Sequence, residues 1–367
     1  MQQQVLSVFR DLARAGHGVL LITHDLAVAD QVADRVAVMQ EGRLVEAGPT
    51  REILSRPHHP YTRRLLAAVP SAATRGRWLS ATGEAPSRSV KGGHSAPLLE
   101  LRDVCVAFRR PDGGVFDAVK QASLHIHRGE TLGIVGESGS GKTTLGKVAL
   151  ALRRPDSGDV RLDGEPWSAL AESARRPIRQ RIQTIAQDPL SSFDPRFSVE
   201  RIIEQPLRLR PGLDRAARRR RILELVGLVG LHPDLLARRP GALSGGQRQR
   251  VSIAQALAAE PDLLVCDEPV SALDVTTQAQ VLDLLVALQG RLHLAMLFIS
   301  HDLGVIQHMS HRIAVMKEGR IVETGPVEQV FDAPRDPYTR RLLAAVLRLP
   351  DSVDGAVSQG SPPVAPC

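Results

Sequence analysis

Apolar residues along this chain gather into short runs separated by polar turns. Leu132–Val135, Leu263–Asp267 and Ala295–Ser300 are almost continuously apolar. Runs this short, bounded by turn residues, read as parallel strands buried on both faces. Leu99–Phe108 and Val119–His127 read as further strands, and Ser168–Leu236 as mostly helical. A glycine loop follows Leu132–Val135, and a helix is predicted from Lys142. Strands interleaved with helices predict an α/β core.

The same pattern occurs twice in part. His24–Val69 aligns with His301–Val346 at a constant offset of 277, with 26 of 46 positions identical. Self-similarity of this degree marks a duplicated structural unit. The second copy extends back to about Leu99, whereas the first begins at Met1. The expected organisation is a partial copy over 1–70, a linker over 71–97, a complete domain over 98–350 and a disordered tail over 351–367. Ser71–Pro97 is rich in Ser, Gly, Ala and Pro without periodicity, the composition of a flexible linker. Val19–Thr23 is expected to be a strand stripped of its neighbours, which is unfavourable for a parallel strand. An incomplete start is the favoured explanation, with a degenerate remnant as the other.

Composition narrows the class. A chain of 367 residues with 43% hydrophobic and 24% charged positions can bury a sizeable core, which excludes a stapled miniprotein or wholesale disorder. The three cysteines, Cys105, Cys266 and Cys367, lack metal or disulfide spacing and read as cytosolic. No apolar run reaches the roughly 18–20 residues of a membrane span. The net charge of +7 would suit nucleic acid, an anionic membrane face or phosphorylated ligands. The runs Arg215–Arg221 and Arg238–Arg239 read as solvated helix faces, with nucleic-acid contact as the other reading.

Gly136–Thr143 reads GESGSGKT, a phosphate-loop pattern in the required strand–loop–helix context. Its glycines let successive N–H groups turn inward around an anion, and the following helix adds its positive end. Gly136, Glu137, Ser138, Gly139, Ser140, Gly141, Lys142, Thr143 and Thr144 form the expected ATP-phosphate site. Lys142 supplies a cation and Thr143 a hard oxygen for Mg²⁺. The apolar run ending at Asp267 and Glu268 supplies the complementary carboxylates. Asp267 would hold Mg²⁺ through water, and Glu268 would polarise the attacking water as general base.

With Leu243–Gln247 (LSGGQ), the chain resembles the ATP-binding subunits of ABC transporters. That resemblance implies a P-loop core with a parallel sheet, an antiparallel β subdomain and a helical signature subdomain. It implies an adenine platform at Phe108, for which plain core is the other reading. Gln187 matches the glutamine loop, which senses the γ-phosphate and the membrane partner and adds a metal ligand. Ser244, Gly245, Gly246 and Gln247 match the signature, Ser271–Asp274 the D-loop, and His301 the switch histidine. In this family the signature faces the nucleotide of an opposite protomer, so two ATPs lie at a head-to-tail interface. Ala186 and Gln255 depart from the usual aromatic and arginine; Gln255 is expected to weaken local charge pairing.

QDPLSSFDPR, SGGQRQR, DEPVSALDV and the repeated PYTRRLLAAV look like the ATPases of dipeptide, oligopeptide and glutathione importers, including their fused double-ATPase members. The implied role is ATP hydrolysis powering import of peptides or related small solutes, at the cytoplasmic face of the membrane. The implied partners are membrane permease subunits touched by the region Gln187–Val199, a second ATPase domain and, indirectly, an extracellular solute-binding protein. Nucleic acid is not an expected partner. Two other readings stay open: a soluble ABC ATPase acting on nucleic acid or the ribosome, and a non-functional fragment. In the partial copy His24 stands as a switch histidine without a phosphate loop.

Overall fold

The computed structural model describes residues 2–81, 83, 85, 96–210 and 212–345. The expected tail and most of 82–95 lie outside them.

A helix spans Gln2–Arg14. Residues 17–23 then run outside any sheet, and Leu20 and Ile22 are 91% and 90% exposed. The strand expected at Val19–Thr23 is therefore not formed: its apolar composition favours a strand only where neighbours supply ladder partners. A hairpin follows, β1 (Arg35–Gln40) and β2 (Arg43–Pro49), and then helices Thr50–Ser55 and Pro60–Ala67.

The larger body opens with β3 (Leu99–Arg109) and β4 (Val115–Ile126). After β5 (Thr131–Val135) and helix Lys142–Ala149 come β6 (Ser157–Leu162) and β7 (Glu165–Pro166). These complete an antiparallel sheet in the order β4-β3-β6-β7. The stretch Ser168–Leu236, expected to be mostly helical, also contributes β8 (Ile182–Ile185). Helices Val199–Arg208, Arg215–Leu228 and Gly245–Ala258 precede β9 (Leu263–Asp267), and helix Val275–Leu292 precedes β10 (Ala295–Ile299). After helix Leu303–Met309, β11 (Arg312–Lys317) and β12 (Arg320–Pro326) close a six-stranded sheet. Its order is β12-β11-β5-β10-β9-β8, parallel throughout except for β12.

The alternation of side chains across this sheet separates two apolar cores. Leu264, Cys266, Met296 and Phe298 face the helices, whereas Leu263, Val265, Leu297 and Ile299 face Leu145, Val148 and the antiparallel sheet. All eight are essentially fully buried, which accounts for their continuous apolar sequence. Burial also pushes the Cys266 thiol up to about 12, so it behaves as a small hydrophobe.

The repeat recurs element for element. Hairpin β11–β12 and helices Val327–Asp332 and Pro337–Ala344 reproduce the order of the N-terminal hairpin and its two helices. Both hairpins turn through a two-residue Glu-Gly pair with positive φ, Glu41-Gly42 and Glu318-Gly319. Both break register at the same place, between Val38 and Met39 and between Val315 and Met316. In each copy one glutamate staples the next segment to the hairpin. Glu46 accepts the N–H groups of His58 (2.7 Å) and His59 (3.2 Å). Glu323 accepts those of Arg335 (2.8 Å) and Asp336 (3.0 Å).

The segment expected to be a free linker is anchored in its first part. Leu79 is 4% exposed and joins the main core. The Asp283 carboxylate accepts the N–H groups of Leu79 (2.9 Å) and Ser80 (2.8 Å) and the Ser80 hydroxyl (2.6 Å). Arg75 adds a bond to the Ser310 carbonyl and an ion pair with Glu328.

Candidate functional site

The register of the six-stranded sheet assembles the site. Ile299 lies opposite both Ile134 and Asp267, and Ile185 lies opposite Cys266. The residues following β5, β8, β9 and β10 therefore leave the sheet at one end. These are the Gly136–Thr143 loop, Gln187, Glu268 and His301, positioned where open α/β sheets receive ligands.

The loop's shape depends on its glycines. Gly136 and Gly141 have φ of 152° and 103°. A Cβ at Gly136 would collide with the Met316 carbonyl, and one at Gly141 with the Ala118 carbonyl. Because those carbonyls belong to β11 and β4, the loop is clamped between the two sheets. Gly319 N–H adds a bond to the Ser140 carbonyl (3.0 Å). Lys142 folds back beneath the loop, and its Nζ donates to the Gly136 and Glu137 carbonyls, both at 2.8 Å. Burial lowers the Lys142 pKa, opposed by the carboxylates of Glu268, Asp267 and Glu137. A cationic head is thus set at the start of helix Lys142–Ala149, where the loop amides and the helix end favour an anion.

Thr143 Oγ1 donates to Asp267 Oδ1 across 3.2 Å. Burial raises the Asp267 carboxyl pKa, and the Thr143 bond opposes this. Two hard oxygens from separate elements, one of them a desolvated carboxylate, fit a divalent cation. Gln187 is exposed just beyond β8 and makes no bond to Thr143 or Asp267 among the described residues. Glu268 has φ of 50°, in the left-handed region, and its N–H is held by the Ile299 carbonyl at 2.9 Å. Its Oε2 lies 2.8 Å from His301 Nδ1. The histidine side chain is 63% exposed and the glutamate 18%, so a fixed carboxylate meets an open imidazole.

Phe108 stands 43% exposed on the β3–β4 hairpin, opposite Phe116, with the Arg153 guanidinium 5.2 Å from its ring centroid. It is not core, and one face is already taken by a cation.

The signature lies apart from the loop. Ser244 caps helix Gly245–Ala258 in a reciprocal capping box with Gln247. Gly246 packs against the Thr277 methyl group, in the helix that Asp274 caps through the Thr277 N–H at 3.0 Å. The segments expected as signature and D-loop thus pack directly against each other. No bond joins 244–247 to 136–144 among the described residues. Gln255, expected to weaken charge pairing, bonds Gln205 amide to amide at 3.3 Å, so the two helices are joined by a neutral pair.

One contact was not anticipated. The Glu137 N–H donates to the Tyr338 hydroxyl at 3.3 Å. The repeated PYTRRLLAAV motif contains this tyrosine, but nothing in its spacing ties it to a loop two hundred residues away.

Comparison with known proteins agrees with this geometry. The family model "ABC transporter" matches residues 119–271, and "Oligopeptide/dipeptide transporter, C-terminal region" matches twice, at 45–93 and 322–365. Glutathione import ATP-binding protein GsiA of Pectobacterium atrosepticum is 41% identical over 94% of this chain, and that of Escherichia coli K12 is 42% identical over 94%. The chain spans 59% of the length of each. Among solved structures, the ATP-binding cassette MJ0796 in a dimeric post-hydrolysis state with ADP and Pi has a TM-score of 0.58 at 29% identity, covering 62% of this chain and 98% of that one. The cbiO1 subunit of Clostridium perfringens has a TM-score of 0.59 at 25% identity, covering 72% of this chain and all of its own. The two family models and the relatives together fit the chain to the ATP-binding proteins of ABC transporters, in their dipeptide, oligopeptide and glutathione import group.

Proposed function

We propose that this chain binds ATP at the Gly136–Thr143 loop and hydrolyses it to power import of peptides or related small solutes. The observation that carries the reading is the meeting of the loop, Asp267, Glu268 and His301 at one end of one sheet. The loop amides and Lys142 hold the phosphates, and Phe108 offers its free face to the base. Thr143 and Asp267, with Gln187 from the neighbouring strand, would hold Mg²⁺, which supplies charge neutralisation on the phosphates. Glu268 orients the attacking water and accepts its proton, and His301 steadies the carboxylate and the developing phosphate charge.

The exposed Ser244 and Gly245 at a helix N-terminus suit a phosphate presented by another protomer. A second ATPase domain, identical or paralogous, is therefore part of the active unit. The relatives named for glutathione import and the C-terminal transporter region support a permease partner and a small peptide cargo. An extracellular solute-binding protein would deliver that cargo indirectly. No helix among the described residues is long and apolar enough to cross a membrane. Attachment to the cytoplasmic membrane face would then run through the permease. The double match of the C-terminal region supports reading 1–70 as a partial second copy of the cassette.

The test is the concentration dependence of phosphate release from ATP. Two copies of 98–350 must pair, so the rate rises faster than linearly with protein. Hydrolysis by a strict monomer, or none with permease present, sinks the proposal.

A further inference from the structure

We infer that Tyr338 is a positioning residue for the phosphate loop, and that through it the C-terminal transporter region sets nucleotide affinity. The inference rests on the phosphate-site reading given above.

The Gly136 carbonyl and the Glu137 N–H belong to one peptide unit, which is planar and moves as a piece. Its oxygen accepts Lys142 Nζ at 2.8 Å, while its N–H donates to the Tyr338 hydroxyl at 3.3 Å. Tyrosine and lysine therefore grip opposite ends of the same plane. Gly136 has the freedom to let that plane rotate, as glycine at φ of 152° carries no Cβ to resist it. A rotated peptide would turn its carbonyl away from Lys142, releasing the ammonium and reorienting the loop. The tyrosine hydroxyl removes that alternative.

Tyr338 is itself held by two contacts, and the turn before it by a third residue. It is 7% exposed, and its ring sits 5.3 Å from Lys317 Nζ. Its N–H donates to Asp336 Oδ1 at 2.7 Å, at the start of helix Pro337–Ala344. The preceding turn is stapled to β12 by Glu323. The ring is thus delivered to the loop by the segment that the C-terminal region model matches, 322–365. The same staple and tyrosine recur in the N-terminal copy as Glu46 and Tyr61, which gives an internal control.

The experiment uses the full chain and four proteins: wild type, Tyr338→Phe, Tyr61→Phe and Lys142→Ala. Calorimetry measures Kd for ADP with Mg²⁺, and hydrogen exchange follows the peptide containing Glu137. Tyr338→Phe keeps the ring and loses only the hydroxyl. Its Kd should rise about three- to tenfold, the worth of one hydrogen bond, with faster exchange at Glu137 and an unchanged melting temperature without nucleotide. Tyr61→Phe should match wild type in each measurement. A Kd unchanged in Tyr338→Phe while Lys142→Ala binds weakly overturns this inference alone, as does a lowered melting temperature with an unchanged Kd. Equal binding by wild type and Lys142→Ala overturns the phosphate-site reading and this inference with it.

Discussion

His301 Nδ1 and Glu268 Oε2 lie 2.8 Å apart, brought together by adjacent strands whose last residues, Ile299 and Asp267, are in register. A histidine in contact with a carboxylate at a strand end can hold it in one rotamer and share its charge. In the proposed reaction Glu268 is the base. Glu268→Gln preserves shape and hydrogen bonding but cannot take a proton. Turnover should fall by roughly 10²- to 10⁴-fold while ATP binding remains. Single-turnover phosphate release and equilibrium binding measure the two separately, and near-normal turnover removes Glu268 from the role.

Lys142→Ala deletes the ammonium held by Gly136 and Glu137 but leaves every loop amide. ATP affinity should drop by one order of magnitude or more, because a charge-assisted contact is worth about 1.5–3 kcal/mol. Calorimetric titration of both proteins decides it, and equal affinities contradict the assignment.

Glu323 offers a pH-dependent test of the staple. Burial acts to raise its carboxyl pKa, but the Arg335 N–H, the Thr339 side chain and the Asp336 N–H together outweigh this and hold it below the ordinary range. A carboxylate with a lowered folded-state pKa stabilises above its unfolded value and loses that contribution as pH falls through the folded one. Glu323→Gln should therefore cost about 1–2 kcal/mol at pH 7. The difference from wild type should hold through the ordinary carboxylate range and disappear only as pH falls through the lowered folded-state pKa. Melting curves across that range check the sign; a gap that widens in acid would be inconsistent with it.

Asp283 is the anchor for Leu79 and Ser80, accepting three hydrogen bonds at once. Asp283→Ala should free the anchored strap of residues 75–80 without unfolding the sheet. Trypsin cleavage after Arg75 or Arg77 should quicken by about tenfold, since the loss of even 1.4 kcal/mol raises the open population that much. Identical digestion of wild type and variant would mean the anchor does not hold the strap closed.

Most of the sheet and the site was legible from sequence, and for a physical reason. β5, β9 and β10 are buried on both faces, so each wrote itself as an apolar run, and the loop chemistry follows one of them directly. What escaped notice depended on partners distant in the chain. Ile182–Ile185 is only four residues long within an arginine-rich helical stretch, and becomes a strand because β9 offers it an edge. Val19–Thr23 has strand composition without such an edge and stays out of a sheet. Trp78 and Leu79 were hidden in a linker-like composition, although a buried aspartate was waiting for the backbone beside them. Tyr338 is a helix residue by local pattern; its hydrogen bond to Glu137 arises only when the C-terminal segment folds across the loop.

The matching register breaks in the two hairpins bear on how the phosphate loop acquires its form. Beside the break at Met316 lies the carbonyl that leaves room only for glycine at position 136. The break at Met39 has the same register, on a hairpin with no glycine loop pressed against it among the described residues. The kink is thus a local property of the Val-Met-x-Glu-Gly-Arg turn, written into contacts between residues a few positions apart. Such contacts close within microseconds, whereas the parallel strands around the loop must wait for chain closure over a hundred residues or more. The hairpin's own contacts thus carry the shape that the glycine loop is pressed against. Changes to the Glu318-Gly319 turn, whose Gly319 N–H is bonded to the Ser140 carbonyl, would misshape the nucleotide cradle from outside it.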